Sequence, residues 1–360
     1  MPEMFRVATF APGGTTSQKL PFQQYPTPVH LNYILPELPG VWNDFAGNEK
    51  GVVLSIWNAG WLGWLANCES LPDSELKSFL RTNPFKRWAY VPVDGHCVGG
   101  GLPRSIGDIL GGFDRVLAYT RYGEQVIEQA MFGKETFSIP FLPHGLDTSV
   151  FYPRDRAEAR RTLVQRVVDL QQPSMSPSVF LVGICATNTR RKDWHLAFEV
   201  CAELMKRGVR VGLWAHTNAP KKDWDLMALA ETFGLQGRVL LSTRNLSDED
   251  MAWCYSACNV TLGIGSGEGW GFPLAESLAC GVPVIHGKYA GGAEYVPKPL
   301  LVEPKGYRGD GLYGILRPVF KASDWAYRAM EADNQLVALP EYIDWNNAWP
   351  LWKQWLREGI

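Results

Sequence analysis

The sequence predicts an α/β protein of two doubly wound, Rossmann-like domains with a cleft between them. Three observations carry this prediction. Strand-like and helix-like runs alternate through the first half, and the alternation begins again after a charged stretch near residue 155. Strands separated by helices imply parallel sheets, whose ligands collect beyond the C-terminal strand ends. At 360 residues the chain is long enough to bury two cores. The boundaries read as 1–153, 154–335 and a closing segment 336–360.

In the first half, strands are expected at Phe5–Phe10, Val52–Ile56, Trp88–Val93, Arg115–Tyr119 and Phe137–Leu142, with a helix over Arg121–Met131. The second half opens with a charged helix, Asp155 to about Asp169, and a Gln-, Ser- and Pro-rich connector, Gln171–Pro177. Strands at Val179–Ile184, Val209–His216, Arg238–Ser242 and Val260–Ile264 then alternate with helices at Asp193–Lys206, Trp224–Thr232 and Ser247–Ala257. Near the end, Trp345, Trp349, Trp352 and Trp355 are spaced four, three and three, which puts them on one face of a helix. Such a stripe is expected to be buried by packing.

The most informative stretch is Ser266-Gly-Glu-Gly-Trp-Gly-Phe-Pro-Leu-Ala-Glu276, closing with Gly281-Val-Pro-Val-Ile285. Glu268 and Glu276 flank a helix start with seven residues between them. Gly267, Gly269 and Gly271 allow backbone to lie close to a ligand, and Pro273 suits the first helical position. A helix N-terminus offers free N–H groups and positive dipole character to a diphosphate. Acidic residues near a helix start also serve capping alone, so the specificity lies in the whole block rather than in the two glutamates.

The block resembles the E-x7-E motif of retaining GT-B glycosyltransferases, glycosyltransferase family 4 in particular. A second signature, Pro143-His-Gly-Leu-Asp147 followed by Phe151-Tyr-Pro153, is similar to the segment that leads out of the first domain in that family. Physically, Gly145, Asp147 and Thr148 read as a turn and interdomain brace. The resemblance implies the GT-B architecture along nearly the whole chain, with the last helix crossing back to the first domain. It also implies a nucleoside-diphosphate sugar donor, UDP- or GDP-linked, and a carbohydrate or other hydroxyl acceptor. Glu276 would hold the ribose, while Glu268 and the backbone of Gly271, Phe272 and Leu274 would grip the sugar. In the family a loop with an Arg and a Lys neutralises the diphosphate. Here Ala186-Thr-Asn-Thr-Arg-Arg-Lys192 supplies Lys192, but Thr187 stands at the usual Arg position, so Arg190 or Arg191 supplies the second charge. No metal or cofactor is expected, since no metal-binding Asp-x-Asp is read in the sequence and fixed cations do the neutralising. The implied mechanism is front-face attack.

Weaker candidates complete the site. Gly13 and Gly14 follow the first strand and are in place to meet the diphosphate or sugar. Arg244, in Thr243-Arg244-Asn245, lies where the family holds the nucleobase. On the acceptor side, Asp94 or His96 at the end of a first-domain strand would be the acid or base. Trp57, Trp61 and Trp64 suit sugar stacking, but their spacing suits helix core better.

Composition narrows the classes. With 46% hydrophobic and 20% charged residues, net charge −2 and a pI near 6.3, nothing draws the chain electrostatically to nucleic acid. No run of eighteen apolar residues and no basic-then-apolar leader pattern occurs, so a cytoplasmic location is expected, with peripheral membrane association left open. The seven cysteines lack zinc-ligand spacing and read as buried free thiols. A dinucleotide dehydrogenase is disfavoured by the lack of Gly-x-Gly-x-x-Gly after a first strand. A nucleotide-sugar-binding protein without transfer activity is the remaining alternative.

Overall fold

The computed structural model describes residues 8–10, 23–25, 37–67, 75–82, 85–131, 138–167, 178–311 and 314–359. Gly13, Gly14 and the Gln171–Pro177 connector lie outside the described residues, as do Cys68 and parts of the elements expected at 5–10, 137–142 and 155–169. In the first half β1 (Ala8–Phe10) pairs in parallel with β2 (Gln23–Tyr25). Next come α1 (Leu38–Phe45), β3 (Gly51–Ile56), α2 (Gly63–Ala66) and α3 (Glu75–Thr82). β4 (Phe85–Val91), α4 (Arg104–Leu110), β5 (Arg115–Ala118) and α5 (Arg121–Ala130) follow. Strands β3, β4 and β5 form one parallel sheet in that order.

The second half runs α6 (Arg156–Thr162), β6 (Phe180–Cys185), α7 (Trp194–Lys206), β7 (Val211–His216), α8 (Leu226–Thr232) and β8 (Val239–Ser242). Then come α9 (Asp248–Ala257), β9 (Val260–Gly263), α10 (Phe272–Ala279), β10 (Val284–Gly287) and β11 (Leu301–Val302). A hairpin of β12 (Gly306–Asp310) and β13 (Ile315–Val319) precedes α11 (Ala322–Ala332) and α12 (Trp345–Gly359). Strands β6 to β9 are nearly continuous apolar runs because helices cover both faces of their sheet. Side-chain caps start the helices: Asp193, Asp225 and Ser247 accept backbone N–H groups at the heads of α7, α8 and α9.

The six-stranded parallel sheet has the order β11-β10-β9-β6-β7-β8. The connection direction therefore reverses between β6 and β9, and the crevice beyond their C-terminal ends is the favoured ligand position of such sheets. The loops that leave those strands are 186–193 and 264–271, the two loops singled out from sequence.

Three expectations need correction. The strand expected at Phe137–Leu142 is reduced to an isolated bridge between Ala118 and Phe141, because Pro140 and Pro143 have no N–H to extend the ladder. The charged helix after Asp155 is α-helical only to Thr162 and continues as a π-helical turn over Leu163–Val167. Trp57 and Trp61 are exposed beyond the end of β3 rather than in the core. The side chain of Trp64 is outside the described set.

The C-terminal helix does cross back, but it buries only half of its stripe. Trp352 is 8% exposed, and its indole donates to the Pro143 carbonyl at 3.0 Å and meets the Tyr90 ring edge-on. Trp355 lies over the Arg115 guanidinium. Trp345 and Trp349 remain 43% exposed, since only the last two turns reach the β4–β5 face. Trp345 still covers Gly145, where a Cβ would collide with the indole. The helix is anchored further by Leu146, whose N–H and carbonyl bond Ile343 and Trp345 at 2.8 and 3.1 Å. Six described cysteines are free thiols, and Cys201, Cys254, Cys258 and Cys280 are buried.

Candidate functional site

The loop after β6 is shaped by Asn188, which is fully buried. Its side chain donates to the carbonyls of Ala219 and Trp224 and accepts from Trp224 N–H, at 2.8–3.0 Å. Three hydrogen bonds on one buried amide hold the loop against residues 218–224. The same loop then runs along the glycine loop after β9. Ser266 donates its N–H and hydroxyl to the Arg191 carbonyl at 2.9 and 3.1 Å, and Asp193 N–H reaches Ile264.

This pairing brings the sequence-predicted charges together. The Lys192 ammonium forms a close ion pair with one oxygen of the Glu268 carboxylate, and Arg191 reaches the other oxygen at 3.4 Å. Arg191 also donates to the Gly267 carbonyl. Burial alone would raise the Glu268 carboxyl, but Lys192 and Arg191 outweigh it and hold it below its ordinary range. Arg190 is exposed, with its backbone N–H on Asp223 at 3.0 Å. Of the two arginines left open by the sequence, Arg191 is the one that turns toward the crevice.

Glu276 lies about one turn into α10 and accepts the Tyr255 hydroxyl at 2.6 Å. Burial raises its carboxyl to about 7, against the opposing effect of that hydrogen bond. The start of α10 offers fewer donors than the sequence suggested. Gly271 is the N-cap in the left-handed region, so Pro273 occupies the second helical position and has no N–H. The Leu274 N–H is already bonded to the Gly271 carbonyl at 2.9 Å, and the Leu274 side chain is buried in the core. Among the described residues, the Phe272 N–H has no acceptor, and its ring is exposed beside His144.

Gly267 and Gly269 serve a close approach other than the one expected. A Cβ on Gly267 would fall on the Asp94 carbonyl, and one on Gly269 would lie 2.7 Å from Pro92. The glycine loop is therefore seated on the end of β4, and the two domains touch at the site. Asp94 lies in that contact, with its carboxylate 3.5 Å from Arg191 and 3.3 Å from Arg317. His96 instead turns to Tyr122, with 2.7 Å between Nδ1 and the hydroxyl, and burial lowers its imidazole below the ordinary range.

Arg244 is exposed after β8, at the sheet edge two strands from β6, or about 10 Å away at ordinary strand spacing. The sequence in fact contains two Asp-x-Asp pairs, but both serve local structure. Asp223 and Asp225 accept backbone N–H groups at 3.0 and 3.1 Å, and Asp248 and Asp250 lie in the first turn of α9. Tyr255, Asn188 and Arg317 were not legible as site residues. Only the position of Asn188, two residues before a basic run, marked it out at all.

Residues 182–300 match the family described as Glycosyl transferases group 1. That segment contains Arg191, Lys192, Glu268 and Glu276, but not Asp94, His96 or Arg317. Two curated relatives are each named D-inositol 3-phosphate glycosyltransferase. The protein from Acidothermus cellulolyticus is 26% identical over 51% of this chain and 40% of its own length. The one from Segniliparus rotundus is 25% identical over 66% of this chain and 47% of its own. The matches thus span less than half of each relative. Among solved structures, sucrose-phosphate synthase from Thermosynechococcus elongatus is similar with a TM-score of 0.58 and 16% identity, covering 95% of this chain and 82% of that one. Anabaena HepE in complex with UDP and glucose gives a TM-score of 0.61 and 14% identity, covering 90% of this chain and 80% of that one. The fold of this chain is the GT-B architecture of these neighbours.

Proposed function

We propose that this chain is a retaining, metal-independent glycosyltransferase that moves a sugar from a nucleoside-diphosphate donor to an acceptor hydroxyl. The observation that carries the reading is the convergence of Lys192, Arg191 and Glu268 at the switch point between β6 and β9. A diphosphate entering that crevice takes Lys192 and Arg191 as counter-ions. Glu268 is then released from its ion pairs and, remaining ionised, accepts hydroxyl groups of the donor sugar. The Phe272 N–H at the head of α10 points the helix dipole at the same anion. Glu276 accepts the ribose hydroxyls, and Arg244 lines the approach to the base.

Fixed cations matter most when the bond from the anomeric carbon to the leaving phosphate oxygen breaks, because negative charge then collects on the diphosphate. In front-face attack, the acceptor oxygen bonds the anomeric carbon from the side the phosphate leaves, and its proton passes to a phosphate oxygen. Of the two acceptor-side candidates, Asp94 meets the donor loop through Arg191, whereas His96 faces Tyr122. Uridine is the first base to test, because HepE was crystallised with UDP and glucose. A polyol phosphate is among the first acceptors to try, given the names of the curated relatives.

The test is incubation with UDP- and GDP-sugars in the presence of an acceptor panel and a chelator. Release of nucleoside diphosphate with a product of unchanged anomeric configuration is expected. Binding of a donor without any turnover across the panel would favour the second reading, a nucleotide-sugar-binding protein, which the Thr187 departure supports. Inverted product would overturn retention.

A further inference from the structure

Arg317 lies beyond the matched family segment, on β13 of the hairpin that precedes α11. The hairpin reaches across the cleft. Leu316 N–H donates to the His96 carbonyl at 2.8 Å, and the Tyr289 hydroxyl accepts from His96 N–H at 3.3 Å while donating to the Leu316 carbonyl. Arg317, with only 10% of its side chain exposed, donates to the Asp94 carbonyl at 2.7 Å and to its carboxylate at 3.3 Å. Its Nε lies 3.3 Å from Asp310 on the facing strand. Asp94 therefore has two arginines, Arg191 from the donor loop and Arg317 from the hairpin.

The cluster of Arg191, Lys192 and Arg317 with Glu268, Asp94 and Asp310 balances three cations against three carboxylates. A diphosphate that draws Arg191 and Lys192 away disturbs that balance. Glu268 gains the sugar hydroxyls, but were Arg317 absent, Asp94 would be left as a half-buried carboxylate without a counter-ion, which is costly. We propose that Arg317 is a positioning residue that keeps Asp94 paired and in place while Arg191 passes from Asp94 to the donor diphosphate. This rests on the donor reading above. Without Arg317, Asp94 would hold Arg191 back, and the donor would have to break that pair to bind.

The test is calorimetric titration with whichever of UDP, GDP and ADP binds the wild type. Arg317→Ala is expected to raise Kd about tenfold. Adding Asp94→Asn is expected to restore affinity to within about threefold of Asp94→Asn alone, because the competitor for Arg191 has been neutralised. A hairpin that was merely structural would not be rescued by changing Asp94. Unchanged affinity in Arg317→Ala, or no restoration in the double variant, would overturn the proposal. If Arg317→Ala does not fold, Arg317→Gln carries the same test, since it keeps the stem and loses the charge. A folded wild type that binds none of the three nucleotides would overturn the donor reading and this inference with it.

Discussion

Lys192 and Glu268 neutralise one another in the free protein, and each is left exposed to cost if the other is removed. Lys192→Ala leaves the buried Glu268 carboxylate with only Arg191, at 3.4 Å, and should destabilise the fold by about 3 kcal/mol, whereas Lys192→Ala with Glu268→Gln should recover most of that loss in denaturant titrations. Glu268→Gln alone should lower turnover by about a hundredfold, the order expected when one preorganised polar contact to the reacting sugar is weakened, with donor affinity less affected. Glu276 adds a pH signature. Its carboxyl is raised from 4.5 to about 7, so the native state holds a proton that the unfolded chain has released. Its contribution to stability therefore falls as the pH rises through that window. Glu276→Gln should remove the slope, so that the melting temperature of the variant gains on wild type between pH 5 and pH 8. A difference between the two proteins that stays constant across that range would contradict the assignment.

The elements carrying the site are held by contacts that sequence reveals unevenly. The strand–loop–helix order around β6 and β9 was legible because the alternating apolar runs and the glycine block agreed. The hairpin was not legible: Gly306-Tyr-Arg-Gly-Asp310 is mostly exposed and reads as loop, and its pairing with Ile315–Val319 is fixed only by folding. Gly267 and Gly269 were legible as close-approach positions, but sequence could not say that the approach is to Asp94 and Pro92 rather than to a ligand. Asn188 is the element-scale prediction. Replacing it with Ala leaves the Ala219 and Trp224 carbonyls without their donor and should cost about 1–3 kcal/mol. Nucleotide affinity should fall with it, because the same loop carries Arg191 and Lys192. Thermal unfolding with and without nucleotide checks both effects.

Across the whole molecule, contacts of several kinds join the two domains among the described residues, including the glycine loop on β4, the hairpin on residues 94–96, the Tyr122 N–H on Glu294 and the last helix on the β4–β5 face. The tryptophan stripe separates packing from mere pattern. Trp352→Ala should cost about 3–5 kcal/mol, as for a buried indole, while Trp349→Ala should stay within about 0.5 kcal/mol of wild type. Sequence periodicity placed the four indoles on one face, but how far that face overhangs the first domain is a property of the assembled fold. The central claim is that the crevice between β6 and β9 receives a nucleoside diphosphate through Lys192 and Arg191. Titration of UDP, GDP and ADP into the wild type and into Lys192→Ala tests it most directly. The account predicts that one nucleotide binds the wild type and that Lys192→Ala weakens it at least about tenfold, the loss expected for a charged hydrogen bond. Equal binding by both proteins, or no binding by a folded wild type, would contradict it.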